Sequence, residues 1–196
     1  LTTTAIAGKL AGRFGIGIAA ARKITNVNLK RLADKGELVR VQKGIYSRAK
    51  DTPFGKLTPD EDDVLTAVLL REGGKAIGYI AGPSLLNALG LCSWLPGERH
   101  IATNLYRHRL PKGTHICLHK PADFVDEQNA PYLRALEIFS AMEKYPVDAE
   151  KPEDILREAL KKDGIDNEKL IWYARCHFGQ KLLRKTIDVA LRGVVQ

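Results

Sequence analysis

The chain has 196 residues, of which 44% are hydrophobic and 28% charged, and its net charge at pH 7 is +8. This composition is typical of a soluble globular protein with one sizeable core or two small ones, and it excludes a disordered chain. No apolar run reaches the roughly 18 to 20 residues that cross a bilayer, and no signal-peptide hydrophobic segment is present, so we expect a cytoplasmic protein without membrane contact. The chain starts at Leu1 rather than at methionine, and we therefore expect further residues upstream.

The three cysteines are far apart in the sequence. Cys92, Cys117 and Cys176 include no CxxC pair, so the spacing favours neither a disulfide framework nor a zinc knuckle. A reducing compartment fits this pattern best.

The positive charge is concentrated in the first third of the sequence. Residues 1–56 contain 12 Lys and Arg against 3 Asp and Glu, a net charge of +9, whereas residues 57–196 contain 19 and 20, a net charge of −1. A cationic segment on a neutral body is typical of a nucleic-acid-binding module, because each phosphate contact releases counterions. A basic face that is only solvated is the alternative interpretation.

Two helices and a hairpin are predicted in this first third. Residues 2–14 begin with capping threonines, and residues 18–35 form a second helix that Gly36 ends. The apolar positions of the two helices are Ile6, Leu10, Phe14, Ile18, Ala21, Leu29, Leu32 and Ala33. Residues 36–48, GELVRVQKGIYSR, predict two strands joined by a glycine-bearing turn. Helix, turn, helix and cationic hairpin together predict a winged helix-turn-helix.

The candidate DNA contacts lie on the second helix and the hairpin. The N-terminal half of the helix would enter the major groove and read bases, and the remaining surface would contact phosphates. The predicted base-reading residues are Arg22, Lys23, Asn26 and Asn28. The predicted phosphate-contacting residues are Lys30, Arg31, Arg40, Lys43 and Arg48. A winged helix that contacts only proteins is the alternative.

The rest of the chain predicts a small mixed α/β body with a helical tail, so the expected fold class is α+β. Residues 51–63 are typical of a linker in which Thr58 and Pro59 begin a helix. We therefore place a DNA-binding domain at residues 1–52 and a second domain at residues 57–196. The predicted strands cover residues 76–80, 99–103 and 114–119, and the predicted helices cover residues 64–71, 85–89, 129–145, 153–160 and 168–191.

Two further groups of side chains are candidates for chemistry. His115, Cys117 and His119 alternate along a predicted strand and would share one face, but one strand supplies three metal ligands only with difficulty, so we assign no metal site. Between two strands, a basic loop with an aromatic residue is a possible second contact to DNA or to an acidic partner. Its basic residues are Arg107, His108 and Arg109.

Two stretches carry a resemblance to a known family. LKRLADKGELVRVQKGIYSR resembles the winged-helix segment of AbiEi-like antitoxins, and GYIAGPSLLNALGL followed by WLPGERHIATN is similar to the segment after it. The resemblance covers about residues 18–120. Further on, LIWYARCHFGQKLLRKTIDVAL is similar to the C-terminal helical end of that family.

This resemblance implies a DNA-binding transcriptional repressor that is the antitoxin of a type IV toxin–antitoxin system. Such a protein binds inverted repeats in the double-stranded operator at its own promoter, as a monomer or a dimer, and the toxin encoded alongside is nucleotidyltransferase-like. The resemblance assigns the DNA contacts to the nine residues named above.

We expect no enzymatic activity and no cofactor, and two alternatives from other classes stay open. A metal-dependent nuclease would use the acids Asp60, Glu61, Asp62 and Asp63, which otherwise favour a helix N-terminus through the helix dipole. A protein-neutralising interaction module would bind its partner without DNA.

Overall fold

The structure is a computed structural model that describes residues 2–48, 50–53, 55–57 and 60–192. The helices in these residues are α1 Thr3–Phe14, α2 Ile18–Asp34, α3 Glu61–Leu70, α4 Gly82–Ala88, α5 Ala130–Lys144, α6 Pro152–Lys162, α7 Asn167–His177 and α8 Gln180–Arg192. The strands are β1 Val39–Gln42, β2 Ile45–Ser47, β3 Lys50–Thr52, β4 Gly55–Leu57, β5 Arg71–Glu72, β6 Lys75–Ala76, β7 Gly78–Ile80, β8 Arg99–Thr103 and β9 Ile116–His119. The predicted α+β fold class is confirmed.

Two compact units make up the chain. The first comprises Leu1–Gly74 and Leu110–Thr114, and the second comprises Lys75–Arg109 and His115–Gln196. The helix pair α1–α2 and the hairpins β1–β2 and β3–β4 belong to the first unit. The sheet β7–β8–β9 and helices α4–α8 belong to the second. The domain boundary predicted at residues 52–57 lies inside the first unit, and it stays a prediction.

Helices α1 and α2 lie where the sequence predicts them and pack against each other. The side-chain oxygen of Thr2 caps α1 by accepting a hydrogen bond of 3.2 Å from the Ala5 N–H. The short turn of residues 15–17 then separates the helices. Lys35 is the C-cap of α2, and Gly36 follows it with a φ of 72°, a left-handed conformation that glycine adopts without steric cost.

A row of residues four apart forms the buried side of α2. Ala21, Thr25 and Leu29 are at most 5% exposed, because a four-residue spacing keeps side chains on one face of a helix. Leu29 packs with Leu38 and Tyr46 in the apolar core of the first unit. This core therefore joins α2 to the hairpin.

Two apolar residues predicted in the core of the helix pair are exposed instead. Phe14 is 64% exposed and Ile18 is 49% exposed. Both flank the turn between the helices, and Ile18 precedes Leu29 by eleven residues, which is about 16 Å along a helix. The predicted helical period was right, but the buried stripe is shorter than the sequence suggested.

Helix α3 begins after Asp60, whose carboxylate accepts a hydrogen bond of 3.1 Å from the Asp63 N–H. The predicted cap residues Thr58 and Pro59 lie outside the described residues. The segment predicted as a linker contains the antiparallel hairpin β3–β4, in which Asp51 pairs with Lys56. Pro53 therefore lies at the turn of a hairpin and Gly55 begins β4; both residue types also occur in linkers.

The second unit contains a three-stranded sheet in the order β7–β8–β9. Strands β7 and β8 are antiparallel and pair Tyr79 with Ala102. Strands β8 and β9 are parallel and pair His100 with Cys117 and Ala102 with His119. Strand β8 has the predicted bounds, whereas β9 begins at residue 116, two residues later than predicted.

The main core of the second unit lies among helices α4–α8. Leu85 of α4 and Leu136 and Phe139 of α5 are at most 1% exposed there. The tail that was predicted as one helix over residues 168–191 forms two, α7 and α8. The break lies at Phe178, whose backbone is extended with φ −129° and ψ 162°. The helical spacing of apolar residues continues across this break because residues of both α7 and α8 belong to this core. No helix in the described part of the chain is long and apolar enough to span a membrane.

The buried hydroxyl of Thr25 has no hydrogen-bond partner among the described residues. An unpaired buried hydroxyl costs about 1 to 3 kcal/mol. We expect the near-isosteric Thr25→Val to raise the free energy of unfolding by about 1 kcal/mol in urea denaturation, because it removes the polar atom and keeps the shape. The exposed Thr4 gives the matched control Thr4→Val, with an expected change within about 0.5 kcal/mol. A loss of stability in Thr25→Val beyond that of the control would contradict this explanation.

Candidate functional site

All nine predicted DNA contacts are exposed side chains of the first unit. Six lie on α2 and three lie on or directly after the hairpin β1–β2. We call this set the cationic surface: Arg22, Lys23, Asn26, Asn28, Lys30, Arg31, Arg40, Lys43 and Arg48. Seven of its nine side chains carry a positive charge.

On α2 the cationic surface follows a regular row. Arg22, Asn26 and Lys30 are exposed and spaced by four residues, so they form a row about 100° around the helix axis from the buried row that contains Ala21 and Leu29. Eight residues of α-helix make this row about 12 Å long. Burial of the apolar row thus fixes the direction in which the polar row points.

Asn28 differs from the other polar residues of this helix. Its side-chain amide nitrogen donates a hydrogen bond of 3.0 Å to the carbonyl of Ile24, one turn earlier. Part of its hydrogen-bonding capacity is therefore used within α2. Asn26 is the better placed of the two amides for an external partner.

The hairpin is held to the start of α1. The N–H of Thr3 donates a hydrogen bond of 2.8 Å to the carbonyl of Gly44, and the Thr3 hydroxyl donates to the same oxygen at 3.2 Å. These bonds fix the tip that carries Lys43. Arg40 pairs with Tyr46 across the hairpin, and Tyr46 is buried while Arg40 is exposed.

The charges of the cationic surface are not neutralised by neighbours within the described part of the chain. None of its seven cations takes part in an ion pair there. Unpaired surface cations repel each other and favour an anionic partner. The electrostatic field of this surface is therefore available to a polyanion.

Two exposed apolar residues beside the cationic surface were missed in the sequence. Ile24 is 45% exposed and Val27 is 44% exposed. They are three residues apart and lie outside the buried row of Ala21, Thr25 and Leu29, with Val27 nearly opposite that row. The signal was present in the sequence, because both apolar residues stand at positions where an amphipathic helix normally carries polar ones.

The predicted second basic contact lies in the second unit. Arg107, His108 and Arg109 are exposed in the connection between β8 and β9. The Arg107 guanidinium lies over the Tyr106 ring, 5.3 Å from its centroid. At the base of the loop, the Asn104 side chain forms two hydrogen bonds of 2.8 Å with the backbone of Val125.

A cluster of His and Cys side chains lies on one face of the β7–β8–β9 sheet. His100 of β8 lies beside Cys117 of β9 in the parallel register, and His119 follows on the same face. The His119 Nε2 and His100 Nδ1 atoms are 2.9 Å apart, and the two rings are stacked with centroids 4.9 Å apart. We call these three half-buried residues the imidazole–thiol cluster.

The predicted grouping of His115 with Cys117 and His119 is wrong. His115 precedes β9 and is exposed, and the third member of the cluster is His100. His100 lies in another strand, so the alternation along one strand could not identify it. Only the parallel pairing of β8 with β9 brings it to Cys117.

Hydrogen bonds from α4 and α5 hold the surroundings of this cluster. The Ser84 hydroxyl oxygen accepts a hydrogen bond of 2.9 Å from the His100 N–H, and the hydroxyl donates to the Glu98 carbonyl at 3.2 Å. The Glu137 carboxylate accepts a hydrogen bond of 3.1 Å from the Gly82 N–H. The start of β8 is thereby tied to α4, and α4 is tied to α5.

Burial and charge shift the pKa values of groups in and around the cluster. Burial lowers the pKa of His100, and the neighbouring His119 lowers it further. Burial raises the pKa of the Cys117 thiol, and the charge of Glu98 adds to this effect. Burial also raises the pKa of the Glu137 carboxyl, which the Gly82 N–H, Lys144 and His119 partly offset. The lowered pKa of His100 therefore favours its neutral imidazole.

The acids at residues 60–63 serve the start of α3. The Asp60 carboxylate is the N-cap, and Glu61, Asp62 and Asp63 occupy the first turn. Negative charge at this end of a helix is stabilised by the helix dipole. In the described part of the chain, the group of ligand atoms close enough to share a metal ion is the imidazole–thiol cluster.

Gly82 lies against the cluster and has a φ of +53°. A Cβ at this position would lie 3.2 Å from His100 Nδ1, so we expect Gly82→Ala to lower the free energy of unfolding by about 1 to 3 kcal/mol. The control is Gly97→Ala, because Gly97 has open space and an ordinary φ; its change should stay within about 0.5 kcal/mol. Equal effects in chemical denaturation would contradict the close packing described.

A protein-family model matches part of the chain. A family model described as a family of unknown function, DUF6088, matches residues 14–104, which is a little under half of the chain. This range includes α2, the hairpin β1–β2 and the sheet strands β7 and β8. No curated protein matches the chain. The AbiEi-like relation therefore stays a prediction, and the chain is similar to DUF6088 over the range given.

Proposed function

We propose that the chain is a sequence-specific DNA-binding repressor, with α1, α2 and the hairpin β1–β2 acting as a winged helix-turn-helix. The observation that carries this proposal is the cationic surface. It presents seven exposed cations, unpaired among the described residues, on one helix and one hairpin whose apolar sides are buried together. Helix, turn, helix and hairpin follow in the order that this class of DNA-binding domain uses.

The proposed readout uses the exposed row of α2. The major groove is about 12 Å wide and admits one α-helix. Arg22 and Lys23 have the donors that guanine O6 and N7 accept, and Asn26 has the amide that pairs with adenine. Ile24 and Val27 are apolar and exposed, and they suit contact with the methyl groups of thymine.

The hairpin and the C-terminal half of α2 contribute phosphate contacts. Arg40 and Lys43 lie on the hairpin and Arg48 lies directly after it. Lys30 and Arg31 add two positive charges on α2. Each neutralised phosphate adds about −0.9 to the slope of log affinity against log salt. The five cations that are assigned to phosphates therefore give a slope of about −4.5.

We further propose that the DNA is the operator of the chain's own promoter and that the chain is an antitoxin of the type IV class. The support for this is the resemblance of residues 18–120 to AbiEi-like antitoxins. Binding to inverted repeats would place one winged helix on each half-site, whether by a dimer or by two monomers. The nucleotidyltransferase-like toxin is the proposed second partner, without enzymatic activity in this chain.

We expect the hairpin cations Arg40, Lys43 and Arg48 to increase the affinity for DNA of any sequence. We expect the triple variant Arg40→Ala, Lys43→Ala and Arg48→Ala to reduce the salt slope by about 3 and to weaken binding to every duplex alike. The measurement is fluorescence anisotropy over a salt series. The control is Lys151→Ala, Lys162→Ala and Lys169→Ala, which removes three exposed charges from the second unit. Equal slopes for the two variants would exclude the hairpin as a phosphate contact.

We expect Asn26, which is uncharged, to contribute to the preference for the upstream DNA sequence. We expect Asn26→Ala to weaken binding to the upstream duplex by roughly 5- to 150-fold, which corresponds to the 1 to 3 kcal/mol of a bidentate base contact. Binding to a scrambled duplex and the salt slope should stay unchanged, because no charge is lost. The control is Asn167→Ala at an exposed position of α7. Unchanged preference in Asn26→Ala would contradict the proposed orientation of α2.

A further inference from the structure

We propose that His100, Cys117 and His119 form a binding site for a divalent transition metal, with zinc as its occupant. The possible ligand atoms, His100 and His119 ring nitrogens and the Cys117 sulfur, all lie within 4.8 Å of one another. Two imidazoles and one thiolate are a ligand set that suits zinc. This site lies in the second unit and does not depend on the proposed DNA binding.

The distance between the two ring nitrogens is close to the distance between two histidine nitrogens that bind the same zinc ion. Zinc binds histidine nitrogen at about 2.0 to 2.1 Å, so two such ligands at a tetrahedral angle lie about 3.3 Å apart. His100 Nδ1 and His119 Nε2 are 2.9 Å apart. Opening this pair by a few tenths of an ångström turns a hydrogen bond between two rings into a site for two metal ligands.

The backbone supplies the third ligand without rearrangement of the sheet. Cys117 pairs with His100 in the parallel register and is two residues from His119 on the same face. Ala102 pairs with His119 and follows His100 by two residues on the same face, so the residue that adjoins both histidines has a small side chain. The cluster therefore has a preformed position for each ligand.

Hydrogen bonds that are already present restrain the backbone around the site. Ser84 fixes the His100 backbone, and Glu137 accepts a hydrogen bond from the N–H of Gly82, two residues before Ser84. The Ser84 hydrogen bond restrains the backbone that carries His100, and Gly82 packs closely against the His100 ring. All three ligand residues are only half-buried, so an ion can enter from solvent.

Binding converts the Cys117 thiol to a thiolate, with its proton released to solvent. The metal thereby replaces the proton at sulfur. The ring that donated the hydrogen bond changes tautomer, so that its proton lies on its other nitrogen and both imidazoles bind as neutral ligands. Three protein ligands leave the fourth tetrahedral position to a water molecule. The alternative is a pair of histidines that are joined only by their hydrogen bond.

The test is metal uptake by the purified full chain after treatment with EDTA and dialysis. Titration with Co²⁺ should give one ion per chain, with a near-ultraviolet thiolate-to-cobalt charge-transfer band and the visible bands of a tetrahedral ion. Zn²⁺ should displace the cobalt. Cys117→Ser should remove the charge-transfer band, and His119→Ala should weaken Zn²⁺ binding by at least about tenfold, because even supporting contacts cost that much.

Two matched variants separate this site from adventitious binding. His115→Ala and Cys176→Ser change an exposed histidine and an exposed cysteine outside the cluster, and both should keep full metal affinity. Circular dichroism checks the fold of each metal-free variant. If His119→Ala does not fold, the cobalt spectra of the wild-type chain and of Cys117→Ser still test whether the cluster binds the metal. No stoichiometric uptake, or uptake that Cys176→Ser abolishes and Cys117→Ser leaves intact, would overturn the proposal.

Discussion

The packing of α2 through one row of residues determines how the first unit presents its charge. Ala21, Thr25 and Leu29 are buried, and Leu29 meets Leu38 and Tyr46 of the hairpin segment. Because successive residues of a helix are about 100° apart around its axis, this contact leaves Arg22, Asn26 and Lys30 exposed beside the buried row. The same core fixes the hairpin, so its cations and those of α2 belong to one body. The burial of these apolar residues thus determines which side chains form the proposed DNA interface.

A second constraint acts in the second unit, where the parallel pairing of β8 with β9 brings together residues that are far apart in the sequence. His100 and Cys117 become neighbours by register, and His119 lies one pleat further along. The hydrogen bonds of Ser84 and Glu137 then connect this sheet face to α4 and α5. The first unit therefore carries a polycationic surface, and the second carries a compact cluster of two imidazoles and a thiol.

Local patterns in the sequence were sufficient for most of the elements. Threonine caps, four-residue spacing and glycine turns predicted α1, α2 and the hairpin β1–β2, and apolar runs predicted β8. The failures came from tertiary contacts. Phe14 and Ile18 are apolar but lie beyond the reach of the core, and Phe178 interrupts a continuous helical period because its backbone is extended. The cationic surface could be predicted because charge and exposure are local properties, whereas the place of His100 beside Cys117 depends on strand pairing.

The most direct test of the proposed function is the affinity of the wild-type chain for DNA upstream of its own gene and for a scrambled duplex over a salt series. The cationic surface and the readout row of α2 predict a preference of about a thousandfold or more for the upstream duplex, within the usual range of specific binders. Both affinities should fall steeply with salt. Equal affinities for the two duplexes would contradict sequence-specific repression, and no binding to either would contradict DNA binding itself.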